Sequence, residues 1–182
     1  MSEVTPIYPP SRKEVFQILF KFGIGIALGD MLCEQLMVWF PSLAFMLELI
    51  AVIIIVFGLT LGINKYKSYF EGFNYGKALW FCLRIGMVVG LVKMFFIFIQ
   101  LSYIDNSMLI FMTDEIKKSL ANTEGISRDQ LNEILNSGLI ETFVSPPFIA
   151  IMVWISTFFQ YLFIGLFISI FHRKSTNPFQ QA

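Results

Sequence analysis

The chain is poor in the residues that carry most protein chemistry. It has one histidine, His172, and two cysteines, Cys33 and Cys82. With no C-x-x-C spacing and no histidine partner for either thiol, neither a metal site nor a disulfide framework is indicated. Charge is scarce too: Asp, Glu, Lys and Arg make up 14% of the residues, against about 25% in an ordinary soluble domain. Thirteen basic residues balance thirteen acidic ones. The glycines of GIGIALG, Gly23 to Gly29, follow no strand and open onto no Lys-Ser/Thr pair. Dinucleotide and P-loop chemistry are therefore excluded. No catalytic constellation and no cofactor follow from this inventory, and His172, directly after the last apolar run, reads as an interfacial polar residue.

What the chain has is apolar length. Of its 182 residues 56% are hydrophobic, 21 are Phe, and the mean hydropathy is +0.70. Four runs, Phe16 to Phe40, Leu43 to Ile63, Ala78 to Leu101 and Phe148 to Phe171, approach or exceed the roughly 20 residues that a helix needs to cross about 30 Å of hydrocarbon. The first run continues into acids instead of stopping at an Ala-x-Ala site, so it is expected to be a retained helix and not a secretory signal. The expected fold is an all-α integral membrane protein, one membrane domain over residues 1–182 with four transmembrane helices.

Lys and Arg in the short loops set the orientation. The first tail carries Arg12 and Lys13, the loop between the second and third runs Lys65, Lys67 and Lys77, and the last tail Arg173 and Lys174. All three belong on the cytoplasmic side. Pro41-Ser42 is uncharged, and Ser102 to Pro147 has three basic residues, Lys117, Lys118 and Arg128, against seven acids; both face outward. Tyr66, Lys67, Tyr69 and Phe70 read as an interfacial anchor beside anionic lipid, not as a nucleic-acid surface.

The outer segment, residues 102–147, carries helix signals. Ser107 to Ala121 is helical by pattern, with Ile116 and Leu120 on one side and Asp114, Glu115, Lys117 and Lys118 elsewhere. In GISRDQLNEIL, Ser127 with Gln130 fits a capping box and Ile126 with Leu131 a hydrophobic staple. Leu131, Ile134 and Leu135 form an apolar stripe before Gly138, which offers a C-cap. The expectation is a short outer amphipathic helical hairpin between helices 3 and 4, acting as a cap on the bundle or headgroup layer, or as a docking surface or lid.

Charges inside the apolar runs are the sharpest site candidates. Counting about 1.5 Å per residue, Asp30 lies roughly 21 Å and Glu34 about 27 Å above the start of the first run, Lys93 about 22 Å above the start of the third, and Glu48 about 7 Å below the outer end of the second. Burying such charges in lipid is costly, so the four are expected to face one another as an intramembrane charge cluster, with Lys93 the partner of Asp30 and Glu48. One cation among three acids leaves room for a proton or bound cation as well as for a purely structural clasp. Arg84 and Gln160 are expected to form a second polar contact. Glycines spaced by four, Gly25 and Gly29, Gly58 and Gly62, Gly86 and Gly90, predict smooth helix faces for close approach, with the first and third spans packing directly.

FNYGKAL at the start of the third span, SYID at its end, an acidic outer helix, SPPF before the fourth span and a basic FHRK after it together resemble a bacterial family of small four-span membrane proteins catalogued as a domain of unknown function. The resemblance covers roughly the whole chain and is most specific from Phe73 to Lys174. It implies an uncharacterised multi-pass integral membrane protein and supplies no active-site residues; with the loop charges, the expected place is the bacterial cytoplasmic (inner) membrane with both termini cytoplasmic. Two functions fit. One is a non-enzymatic structural or accessory component acting through helix packing and the outer hairpin, with the lipid bilayer and either a second copy of itself or another membrane protein as partners. The other is a small proton- or cation-coupled transporter or channel using Asp30, Glu34, Glu48 and Lys93.

Overall fold

The computed structural model describes residues 10–70, 72–122 and 133–172. Every element with assigned bounds among them is helical. The chain divides into two compact units, residues 1–92 with 156–182, and residues 93–155.

In the first unit, α1 spans Arg12–Trp39. Ser11 begins it with a capping box: its side chain accepts from the Glu14 amide at 3.3 Å, and Glu14 Oε2 accepts from the Ser11 amide at 2.8 Å. Two of the otherwise orphaned amide donors are thereby satisfied. Pro41 cannot continue a helix, and a 3-10 turn over Pro41–Leu43 reverses the chain into α2, Ala44–Lys67. The helix α3, Tyr75–Ile99, opens where Asn74 Oδ1 accepts the Lys77 amide at 2.9 Å.

These helices are apolar nearly all round, and spacing, more than residue type, marks the inner side. On α1 the buried positions are Ile18, Leu19, Gly23, Ile26, Ala27, Asp30, Met31 and Cys33; on α2 they are Ala51, Ile55, Leu59, Gly62 and Ile63. Both recur every three or four residues, the period of one helix face. The remaining faces leave many large apolar side chains exposed, among them Phe20, Leu28, Ile53, Phe57, Phe163 and Phe167. Apolar surface on that scale is covered by lipid rather than water.

Helix contacts are made by side chains seated on glycines. Ile26 of α1 lies against Gly58 of α2, and Ile54 of α2 against Gly29 of α1. A methyl placed on Gly23 would come within 2.7 Å of Val88 on α3. Between α2 and α3, Phe81 and Ile85 close on Gly62. At the end of the bundle where α2 stops, Tyr66 stacks on Phe81 with centroids 4.6 Å apart and meets Phe70 edge-on at 5.0 Å. Lys77 Nζ stands 4.5 Å above the Phe70 ring. Tyr66 and Phe70 thus pack against the core rather than serving only as interfacial anchors.

In the second unit, the last residues of α3 run into a π-helical turn, Gln100–Ile104. Asp105 stops it and starts the next helix, its Oδ1 accepting the Ser107 amide at 2.8 Å. That helix, α4, spans Ser107–Ala121, and its half-buried residues include Leu109, Met112, Ile116 and Leu120, an amphipathic stripe. Backbone at 133–136 is helical and ends at Gly138, whose φ of 71° is the left-handed conformation that favours glycine in a C-cap. The predicted cap at Ser127 and Gln130, and the staple of Ile126 and Leu131, lie outside the described residues. A short helix, α5, Leu139–Phe143, is tied to α4 by Lys117 Nζ and Glu141 Oε1 at 3.4 Å. The last helix, α6, Pro146–Phe171, begins here on two prolines, where missing amide donors cost nothing, and from Ser156 onward belongs to the first unit.

Candidate functional site

Four polar side chains are buried among the described residues: Asp30, Lys93, Thr157 and Ser169. In the first unit Asp30, 4% exposed, occupies the inner stripe of α1 one turn beyond Ala27. On α6 the residues Thr157, Tyr161, Gly165 and Ser169 follow at intervals of four and are all buried. Tyr161 is fully enclosed, its ring laid over Gly86 of α3, where a methyl would come 2.5 Å from the Tyr161 Cβ. It stands within electrostatic range of Asp30 and Cys82. Among the described residues its hydroxyl has no hydrogen-bond partner, which is costly for a buried polar atom, while the Ser169 side chain stands beside the Cys82 thiol. Cys82 fits against Gly165, 2.8 Å from where a methyl would stand.

Lys93, 6% exposed, begins the second unit and continues the α3 series Phe81, Ile85, Val89 of buried residues. Asp30, Glu34 and Lys93 each engage another group. Glu34 is half-buried.

Two of the predicted polar placements differ. Glu48 is exposed in the first turns of α2, not turned inward with Asp30; a carboxylate so close to a helix end reaches the interface by extending its side chain. The contact of Arg84 with Gln160 does not form. The Arg84 guanidinium lies over the Trp80 ring, 5.3 Å from its centroid, a cation–π arrangement, while Gln160 is exposed one residue off the inner stripe of α6.

The glycine predictions divide in the same way. Gly29, Gly58, Gly62 and Gly86 each receive a large side chain, and Gly90 is buried. Gly25 faces open space, with no atom within 4 Å of the place a methyl would take. The contact of α1 with α3 runs instead through Gly23 and Val88. Gly23 and Gly165 have no glycine four residues away, so a search for paired glycines passes over them. The broader small-residue pattern does find Gly23, which stands four residues before Ala27, and it adds Ala78, Cys82, Gly86 and Gly90 in a row on α3.

His172 Nδ1 lies 3.0 Å from the Ile168 carbonyl oxygen. A carbonyl only accepts, so the proton is on Nδ1 and the imidazole closes the end of α6. Among the described residues no three His, Cys, Asp or Glu side chains converge as a metal site requires. The interior can hold charge and fix helices relative to one another.

Four helices long and apolar enough to span a membrane, Arg12–Trp39, Pro41–Lys67, Tyr75–Ile104 and Pro146–Phe171, define an all-helical protein of membrane type. The family described as "Protein of unknown function (DUF4199)" matches residues 15–174. The chain belongs to that family. No curated protein and no solved structure matches it.

Proposed function

We propose that this protein is a non-enzymatic structural or accessory component of the bacterial cytoplasmic membrane, crossing it four times with both termini in the cytoplasm. The observation that supports this reading most is the seating of side chains on glycines: Ile26 on Gly58, Val88 on Gly23, Tyr161 on Gly86 and Cys82 on Gly165. Contacts this close, on four helices, favour a fixed bundle over one that rocks open. Asp30 and Lys93 then serve as buried charges that select one helix arrangement. The pair α4 and α5, with Lys117 and Glu141 joined across them, supplies an outer surface for a second copy or another membrane protein.

A second reading is favoured by one observation, the unbonded Tyr161 hydroxyl within range of Asp30. A proton or cation bound there would give the Tyr161 hydroxyl a partner. Reconstitution into proteoliposomes separates the readings. The structural role predicts no proton, sodium or potassium flux above that of empty vesicles, together with a stoichiometric membrane partner or self-association in mild detergent. Flux that Asp30→Asn abolishes would overturn it in favour of transport.

A further inference from the structure

Between the start of α1 and the end of α2 the first unit has a groove of about 280 Å³. Its α1 wall is Gln17, Ile18, Lys21 and Phe22, and its α2 side is Lys65 with Tyr69 just beyond. The α1 residues fall at intervals of three and four, so one helix face supplies both an apolar floor, with Ile18 buried and Phe22 half-buried, and two polar groups at the rim. Glu14 also borders it, but Glu14 Oε2 is taken up by the Ser11 amide and hydroxyl, each at 2.8 Å. Two ammonium groups against one engaged carboxylate leave the groove with a net single positive charge, the complement of a phosphodiester.

Its depth suits the same ligand. Lys21 stands five residues beyond Phe16, the first large exposed apolar side chain of α1, or about 7.5 Å along the axis. A lysine there stretches its ammonium back toward the headgroups while its stem stays among acyl chains. Lys65, in the last turn of α2, meets it from the other side. We propose that this groove binds the phosphate of an anionic phospholipid, with Lys21 and Lys65 on the phosphate oxygens, Gln17 and the Tyr69 hydroxyl as further donors, and an acyl chain along Ile18 and Phe22. A free phosphate offers the same charge without the chain, and the apolar floor selects the lipid.

Native mass spectrometry of the full chain, delipidated and then given phosphatidylglycerol in micelles, tests this. The wild type retains one lipid. Lys21→Gln with Lys65→Gln weakens retention roughly 25-fold, about fivefold for each lysine removed from an anionic lipid. Lys13→Gln with Lys67→Gln, an equal loss of charge outside the groove, leaves retention near the wild-type level, and Lys21→Arg with Lys65→Arg preserves it. Equal losses in the two glutamine pairs, or none in the groove pair, would overturn the proposal. Displacement of the lipid by millimolar inorganic phosphate would overturn the lipid assignment in favour of a free-anion site.

Discussion

Gly86 and Tyr161 fit as seat and knob: the aromatic side chain of α6 rests where a Gly86 side chain would project, with the Tyr161 Cβ 2.5 Å and Cγ 2.8 Å from the methyl position. Gly25, midway along α1, is the opposite case, with nothing within 4 Å. Gly86→Ala is therefore expected to force the two helices apart, an overpacking cost of about 1–3 kcal/mol. Gly25→Ala is expected to be stabilising by about 0.5–1 kcal/mol through backbone entropy alone. Thermal unfolding in one detergent reads both. Equal effects of the two substitutions would contradict the assigned helix faces.

Asp105 supplies a pH dependence outside the spans. Its carboxylate is held below the usual aspartate range by the backbone hydrogen bond from Ser107 and then by the Ser107 side chain. A lowered folded value means that the contribution is present above the ordinary aspartate value and lost as pH falls through the folded one. The start of α4 is expected to loosen only in that acidic window. The Ser107 amide shift, followed by NMR from pH 6 downward, should titrate below the ordinary aspartate value in the wild type and lose that transition in Asp105→Asn.

The orientation is tested by labelling. Asn122 and Ser68 are both exposed, and the native Cys33 and Cys82 are buried, so background reaction is low. A cysteine at Asn122 is expected to react with an impermeant maleimide in intact cells, and one at Ser68 only after permeabilisation. The reverse pattern would place both termini outside.

Legibility in the sequence follows the physics of each element. The four long helices are plain because apolar length is itself the signal. The helix Ser107–Ala121 is plain because, next to water, its polar and apolar residues separate onto two sides, and Gly138 because a left-handed cap leaves few residue choices. Helix faces inside the membrane are harder. Lipid and protein interior are equally apolar, so α2 and α6 show little periodic contrast, and a polar residue alone does not mark the inside. Polarity points Gln160 and Glu48 inward, and both are exposed. Thr157, Tyr161, Gly165 and Ser169 mark the inner face of α6 through their common spacing, a pattern that emerges only when small and hydroxyl-bearing residues are counted together.

Whether buried charges hold the bundle together is tested most directly by a substitution cycle on Asp30 and Lys93. Each is buried on its own helix and engages another group. Detergent melting temperatures would be measured for the wild type, Lys93→Met, Asp30→Asn, the double variant and Glu48→Gln. Lys93→Met and Asp30→Asn are each expected to be destabilising, by about 1–3 kcal/mol, because each removes one member of a buried polar interaction and leaves the other unsatisfied. Glu48→Gln, on an exposed position, should stay within about 0.5 kcal/mol of wild type. Losses at Asp30 and Lys93 no larger than the loss at Glu48 would contradict a structural role for the buried charges, and the double variant reads whether the two are coupled.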